Sequence, residues 1–459
     1  MLTQRYLFLA VAVLMLAGRA EDSGGVGPRL ELRPGERYFR VEGRPAFVLG
    51  RNPSGIKPAT YAEHFRHMAA ASERFVRIHF TYMPPTEKPG EIATEMLNGW
   101  DIILDSAEQH GLAVLPVLGI WAMWNDGSNQ EHWHNWDKNP FNTARGGPAQ
   151  HPSELFEEGP CQKLWLQRTE TLVKRWAHRR AIISWEVFSE LDLVTGATPA
   201  RAVSFAERAA TIIRAADPWK RPVTASQAGI NGWSLLLKSS AIDFIQIHPY
   251  ADGRFGGRLD DLLLSTVRDR LTKYGKPVLI GESGLNSGPP HNTLDVAPRA
   301  EMGLRHAIWA AMVSGAMNGR AFWWQDGYDI HENADVCSRY HALAAPVAAF
   351  IRDVDFAGFA PIACTLPSGL KGAVLGNDKL LLGWLRDAAC EPPNWPVKPI
   401  TGQTVTVAVP GTIWQAAFFD PATGQPGVTN RLTVREGRLQ LSLPAFQDAL
   451  AVKLKRLAH

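Results

Sequence analysis

Two glutamates, each just beyond a short apolar run, stand out as chemically capable. Ile183-Ser184-Trp185-Glu186-Val187-Phe188-Ser189 leads to Glu190, and Val278-Leu279-Ile280-Gly281 leads to Glu282. Two carboxyl groups that meet across the acetal bond between sugars can break it. The protonated one assists the departing oxygen, and the ionised one attacks the anomeric carbon or stabilises an oxocarbenium-like centre. Bringing like charges together raises one pKa, which supplies the acid. Taken singly, each glutamate reads equally well as an ordinary ion-pair partner.

Other residue types fit around the pair. Arg77, in Val76-Arg77-Ile78, is a permanent cation able to keep Glu282 ionised, or else an ion-pair partner of Glu186 on the barrel floor. In Ile247-His248-Pro249-Tyr250, Tyr250 can donate its hydroxyl to Glu282 and His248 can tune Glu190, although His248 also reads as a core histidine. His79 shares strand parity with Arg77 and is expected to face the same space. Phe322-Trp323-Trp324 offers an indole face for a pyranose ring. Neighbours on a strand point opposite ways, so only one of Trp323 and Trp324 is expected at the mouth.

Such residues need a scaffold that gathers them. Apolar, β-rich runs at 46–51, 75–80, 113–120, 182–188, 223–226, 244–248, 278–281 and 320–324 alternate with segments of helical period at 61–72, 95–110, 162–178, 200–216, 259–274 and 298–314. Alternating strand and helix implies a parallel sheet, and eight strands within about 300 residues imply closure into a (β/α)8 TIM barrel, an α/β fold. No G-x-G-x-x-G follows the first strand, which argues against an open dinucleotide-binding sheet. In such a barrel the site lies at the C-terminal strand ends, where Glu190 and Glu282 fall. From about residue 365 the helical period disappears and seven short strands alternate with Gly, Pro, Asn and Asp turns, the pattern of a small antiparallel β-sandwich. The expected organisation is 1–20 leader, 21–360 barrel and 361–459 C-terminal sandwich.

The motifs together resemble the clan A glycoside hydrolases, especially the cellulase-like family 5 group, across about residues 40–350. The resemblance implies that Glu190, at the end of strand four, is the acid/base and that Glu282, at the end of strand seven, is the nucleophile. It assigns Arg77 to the nucleophile carboxylate, His248 and Tyr250 to the two glutamates, and a Trp of the 322–324 segment to the floor under the sugar. One position departs from the clan, which has Asn directly before the acid/base and uses it to bind the sugar 2-hydroxyl. Here that residue is Ser189, whose single hydroxyl cannot offer separate amide donor and acceptor groups.

The rest of the chain sets the context. With 48 Lys and Arg against 45 Asp and Glu, the formal charge of +3 gives no basic stripe of the kind that tracks phosphates, so nucleic acid is not an expected partner. The apolar run 6–17 follows one Arg and precedes Gly18-Arg19-Ala20, the pattern of a cleaved secretory leader. At about 12 residues it is short for a span of about 20, so a secreted or periplasmic protein with no membrane association after cleavage is expected. Cys161, Cys337, Cys364 and Cys390 lack zinc-finger spacing and read either as disulfide partners or as buried thiols. The stretch 121–161, rich in Trp121, Trp124, His132, Trp133, His134 and Trp136, suggests sugar-stacking subsites or a self-packed aromatic lid. His132 and His134 with Asp137 are not expected to hold a metal, and the proposed chemistry needs no cofactor. Trp384, Trp395 and Trp414 are of the kind that carbohydrate-binding modules use, but core packing is the expected role. The expected function is that of a secreted retaining β-glycosidase acting on plant- or microbe-derived oligo- or polysaccharides. The alternatives are a non-catalytic or weakly active carbohydrate-binding barrel and a transglycosylase.

Overall fold

The computed structural model describes residues 30–81, 83, 87–129, 131, 133–287, 299–325 and 334–457. The leader at 1–20, His132 and the first residue of the 298–314 segment lie outside the described residues.

Among the described residues, eight parallel strands alternate with eight helices. The strands are β1 (Val48–Arg51), β2 (Phe75–His79), β3 (Ala113–Val117), β4 (Trp185–Glu186), β5 (Val223–Thr224), β6 (Ile245–Ile247), β7 (Val278–Ile280) and β8 (Asn318–Gly319). The helices are α1 (Tyr61–Ala70), α2 (Thr94–His110), α3 (Pro160–Trp176), α4 (Pro199–Ala216), α5 (Ser234–Lys238), α6 (Leu259–Tyr274), α7 (Ala300–Ser314) and α8 (Ala334–Ile351). Regular pairing runs β8-β1-β2-β3-β4-β5, with β6 and β7 paired separately. Single contacts close the ring. Asp243 N–H donates to Val223 O and Thr224 Oγ1 to Phe244 O between β5 and β6. The Asn318 amide bridges β7 and β8, accepting from Ile280 N at 2.8 Å and donating to Ile280 O at 2.9 Å.

Two helix starts come earlier than the apolar period indicates because Pro160 and Pro199 occupy the first turn, where no amide hydrogen is required. Helices α5 and α8 escape the periodicity reading. The first is five residues long, and the second carries Pro346 in its interior. Strand β4 is shorter than the 182–188 run, but isolated bridges Val114–Ile182 and Ile120–Ser189 extend its pairing with β3 at both ends.

The eighth strand needs correction: it is Asn318–Gly319, not 320–324. Arg320 has φ +70°, outside the extended region, and its buried guanidinium is ion-paired with Glu73 at 2.9 Å. The backbone therefore kinks at Arg320 ahead of Trp323 and Trp324, although Phe322 still bridges Ser283 beyond β7 and Trp323 N–H donates to Ser283 O at 3.0 Å.

Below the strands, an antiparallel sheet of Leu30–Glu31, Phe39–Val41 and Arg44–Ala46 closes the barrel floor. Phe39 stacks on Phe75 at 6.0 Å and meets Phe244 edge-on at 6.4 Å, within a cluster that includes Val48, Leu115, Ile183, Leu279 and Met317.

After α8 come antiparallel strands. A six-stranded sheet contains Ala360–Ile362, Leu370–Gly376, Leu380–Asp387, Ala449–Arg456, Ile413–Phe419 and Pro426–Thr433 in spatial order, and a three-stranded sheet contains Cys364–Thr365, Thr404–Ala408 and Arg438–Ser442. Both contribute to one apolar cluster around Leu381, Val407, Trp414 and Leu441. Trp384, Trp395 and Trp414 are all buried, but only Trp414 lies in this cluster; Trp384 and Trp395 pack instead against His306 of α7, at 5.5 and 5.8 Å, on the side facing the barrel. Helix α7 is apolar almost all round and lies between the barrel and these sheets, where Trp309 Nε1 donates to Pro421 O. Cys161 and Cys390 are buried free thiols and Cys364 is a partly buried one, so the thiol alternative holds for them. No helix among the described residues is long and apolar enough to cross a membrane.

Candidate active site

The barrel mouth opens into a cleft of about 710 Å³ lined by His79, Trp121, Ser189, Glu190, Tyr250, Glu282, Trp323 and Trp324. These eight residues, all named from the sequence, thus line one cleft, and Arg77 and His248 lie buried beneath it.

Strand pleat explains the vertical order. On β2, Phe75, Arg77 and His79 share parity, so successive side chains climb the interior from floor to mouth at about 3.3 Å per residue along the chain. Arg77 is fully buried and fulfils both readings of it. Its Nε and Nη2 grip Glu186 at 2.6 and 2.8 Å, and Nη1 reaches Glu282 Oε1 at 2.9 Å. Nη2 also donates to Ser189 Oγ at 2.9 Å.

Glu282 accepts a second hydrogen bond, at Oε2, from the Tyr250 hydroxyl at 2.6 Å. Burial alone would raise its pKa, but the charges of His248 and Arg77 and the Tyr250 hydrogen bond outweigh it and hold the carboxyl at about 2. Burial and the neighbouring Glu282 raise the Tyr250 pKa, so its hydroxyl stays a donor. His248 Nδ1 lies 2.7 Å from Glu190 Oε1 and 3.7 Å from Glu282 Oε2. Burial works against its charge, but Glu282 and the Glu190 hydrogen bond prevail and its pKa rises. Gly281 makes this approach possible, because a Cβ there would stand 2.7 Å from His248 Nε2.

His79 is a neutral wall. Burial, then Arg77, pushes its pKa down to about 3, and its Nδ1 lies 2.9 Å from Ser54 Oγ. Trp323 meets it edge-on at 5.2 Å. Trp323 and Trp324 both line the cleft, contrary to the one-facing expectation. Strand alternation does not govern them, because they follow the break at Arg320 and lie at 86° to each other.

The 121–161 stretch divides between its two readings. Trp124 is buried against Trp136 and Phe141, forming a self-packed layer, whereas Trp121 and the half-exposed Trp133 line the cleft. His134 Nδ1 lies 2.9 Å from Glu131 O.

Sequence reasoning missed Asn52 and Ser54. Asn52 donates to Gly281 O at 2.7 Å, directly before Glu282, and Ser54 supports His79. Both follow β1 directly, so the strand-end rule that found the glutamates would have found them as well.

Among the described residues two clusters have metal-competent donors, Glu190–His248–Glu282 and His306–Cys390–Asp448. In the first, Arg77 and Tyr250 already engage both oxygens of Glu282. In the second, Asp448 accepts from Arg305 and is paired with His306, and the guanidinium beside it repels a cation. Burial, together with Asp448, also pushes the Cys390 thiol up to about 12, away from the thiolate a metal needs.

No protein-family model matches the chain. Over 251 residues it is 23% identical to mannan endo-1,4-beta-mannosidase A of Emericella nidulans, covering 49% of this chain and 61% of that enzyme's length. Over 345 residues it is 22% identical to mannan endo-1,4-beta-mannosidase 3 of Oryza sativa subsp. japonica, covering 63% and 71%. Among solved structures, a glycoside hydrolase family 5 protein from Bacteroides vulgatus superposes with TM-score 0.61 at 13% identity over 93% of each chain. An endo-beta-1,4-mannanase from Thermotoga petrophila superposes with TM-score 0.53 at 13% identity, over 91% of this chain and 98% of that one. These superpositions speak for the fold, and the two sequence relatives for descent. With mannan hydrolases among the proteins it matches and glutamates at the ends of the fourth and seventh strands of a closed barrel, the chain is similar to the clan A glycoside hydrolases of the cellulase-like family 5 type.

Proposed function

We propose that this protein is a retaining β-glycosidase that hydrolyses O-glycosidic bonds of an oligo- or polysaccharide by double displacement, with Glu190 as acid/base and Glu282 as nucleophile. One observation carries the reading: an oxygen of Glu190, an oxygen of Glu282 and a His248 ring nitrogen all lie within 4.8 Å of one another. Retaining pairs stand about 5–5.5 Å apart, whereas inverting pairs stand about 6.5–9.5 Å apart to admit a water.

Each partner has work in this scheme. Arg77 and Tyr250 aim an ionised Glu282 at the anomeric carbon while Glu190 gives its proton to the leaving oxygen. Glu190, now a base, takes a proton from water as the glycosyl-enzyme opens. Arg77 can only donate, so Ser189 Oγ accepts from it and the serine's own proton remains for a sugar oxygen. That is one contact where an amide offers two. No step calls for a metal or organic cofactor.

The names of the sequence relatives make β-1,4-mannan the first polymer to test. The experiment is hydrolysis of a panel of aryl β-glycosides and polysaccharides by wild type and Glu282→Gln, with the product anomer read by NMR. The β-anomer as first product, formed by wild type alone, supports the reading. Equal inertness of both proteins on every sugar favours a binding barrel, and longer products on adding acceptor sugars favour transglycosylation. We also propose, on the leader pattern at 6–20, that the mature protein acts outside the cytoplasm; N-terminal sequencing of the exported chain checks it.

A further inference from the structure

Glu190 occupies the left-handed region, with φ 57° and ψ 56°. For a residue with a Cβ that conformation is strained and persists only where its surroundings enforce it. Ser226, just past β5, supplies the enforcement. Its N–H donates to Phe188 O at 3.0 Å, and its carbonyl accepts from Leu191 N–H at 3.1 Å. Its Oγ accepts from the N–H of Glu190 itself at 3.1 Å. One serine thus holds the chain before, at and after Glu190.

The hydroxyl also has a second partner, Glu186 Oε1, at 2.9 Å. Glu186 is gripped by Arg77, whose other nitrogen holds Glu282. The polarity is forced, because an amide N–H can only donate and an ionised carboxylate can only accept. Ser226 therefore accepts from Glu190 and donates to Glu186, completing a chain of contacts from the backbone of one glutamate to the carboxylate of the other. Ser226 is 1% exposed and does not line the cleft.

We propose that Ser226 is a positioning residue for proton transfer, holding the Glu190 backbone in the conformation that aims its carboxyl at the glycosidic oxygen. The inference rests on Glu190 being the acid/base. Loss of aim weakens protonation of the departing oxygen, and this matters in proportion to how much the leaving group needs the proton. A misplacement of about 1 Å costs up to about 100-fold in rate.

The test compares Ser226→Ala with wild type on 4-methylphenyl and 2,4-dinitrophenyl β-mannobiosides, or the same aglycones on whichever sugar the panel selects. The expected result is a fall in kcat/KM of about 10–100-fold for the methylphenyl substrate and a several-fold smaller fall for the dinitrophenyl one. Ser226→Thr and Ser226→Val share a shape, but only threonine keeps the hydroxyl, so threonine should recover the methylphenyl rate relative to valine. Equal losses on both aglycones, or no advantage of threonine over valine, overturn the proposal. A Glu190→Gln variant that shows no leaving-group dependence would instead overturn the acid/base assignment beneath it.

Discussion

The two ends of one barrel are built from the same strands and do opposite things. At the floor, Phe39, Phe75, Phe244, Leu279 and Met317 form a dry aromatic and aliphatic plug. A few residues higher, Arg77, Glu186 and Glu282 share a buried cluster of charge, with His248 and Glu190 beside it. The floor gains from removing apolar area from water, while the mouth carries the desolvation cost of ions and recovers it only through nearly ideal partners. The contrast teaches that the plug is what permits the charge. A rigid, closed lower barrel fixes the strand ends, so the carboxylates and Arg77 meet without searching.

Single substitutions can break or sharpen that division. The largest effect belongs to the mouth: Glu282→Gln should lower turnover by about four orders of magnitude or more while circular dichroism still reports a folded protein. Next, Arg77→Met leaves Glu186 and Glu282 buried without their cation, and chemical denaturation should register a loss of about 3–5 kcal/mol along with activity. Phe39→Ala should lose a similar amount, about 3–5 kcal/mol, through the cavity it leaves. Below its melting range that floor variant should keep kcat near wild type, and a large fall in kcat would mean that floor and mouth are not separable.

A pH experiment sharpens the mouth further. Glu282 is held at about 2 against its ordinary 4.5, so its ionised form stabilises the fold. That contribution is complete above about pH 4.5 and disappears as pH falls toward about 2. The Tm advantage of wild type over Glu282→Gln should therefore narrow on acidification across that window. The smallest effect is expected at the rim. Trp133 is 46% exposed beside the cleft, and Trp133→Ala should raise KM for a polysaccharide by up to about tenfold, corresponding to about 1.4 kcal/mol, with little change on an aryl monoglycoside.

Glu190, Glu282, Arg77, His248 and Tyr250 were legible because each follows or lies within an apolar strand, and a parallel barrel sends such strand ends to one place. Asn52, Ser54 and Ser226 also stand just past strand ends, but that position alone gives them no role, because a short polar side chain there reads as an ordinary loop residue until its partners are seen. Only the expectation that a single one of Trp323 and Trp324 faces the cleft failed, and for a definite reason. Alternation assumes an extended chain, whereas Arg320, ion-paired with Glu73, which is 247 residues away in sequence, has a left-handed backbone that resets the directions of the side chains after it.

Periodicity and strand-end chemistry, which are properties of neighbouring residues, determined the barrel, the order of its strands and the candidate acids. The tertiary structure alone decided which carboxylate Arg77 serves, and its answer was both, because a guanidinium has enough donors to satisfy two acids once folding brings them together. It also decided the left-handed backbone of Glu190, since no local preference supports that conformation and only contacts from the next strand end hold it there.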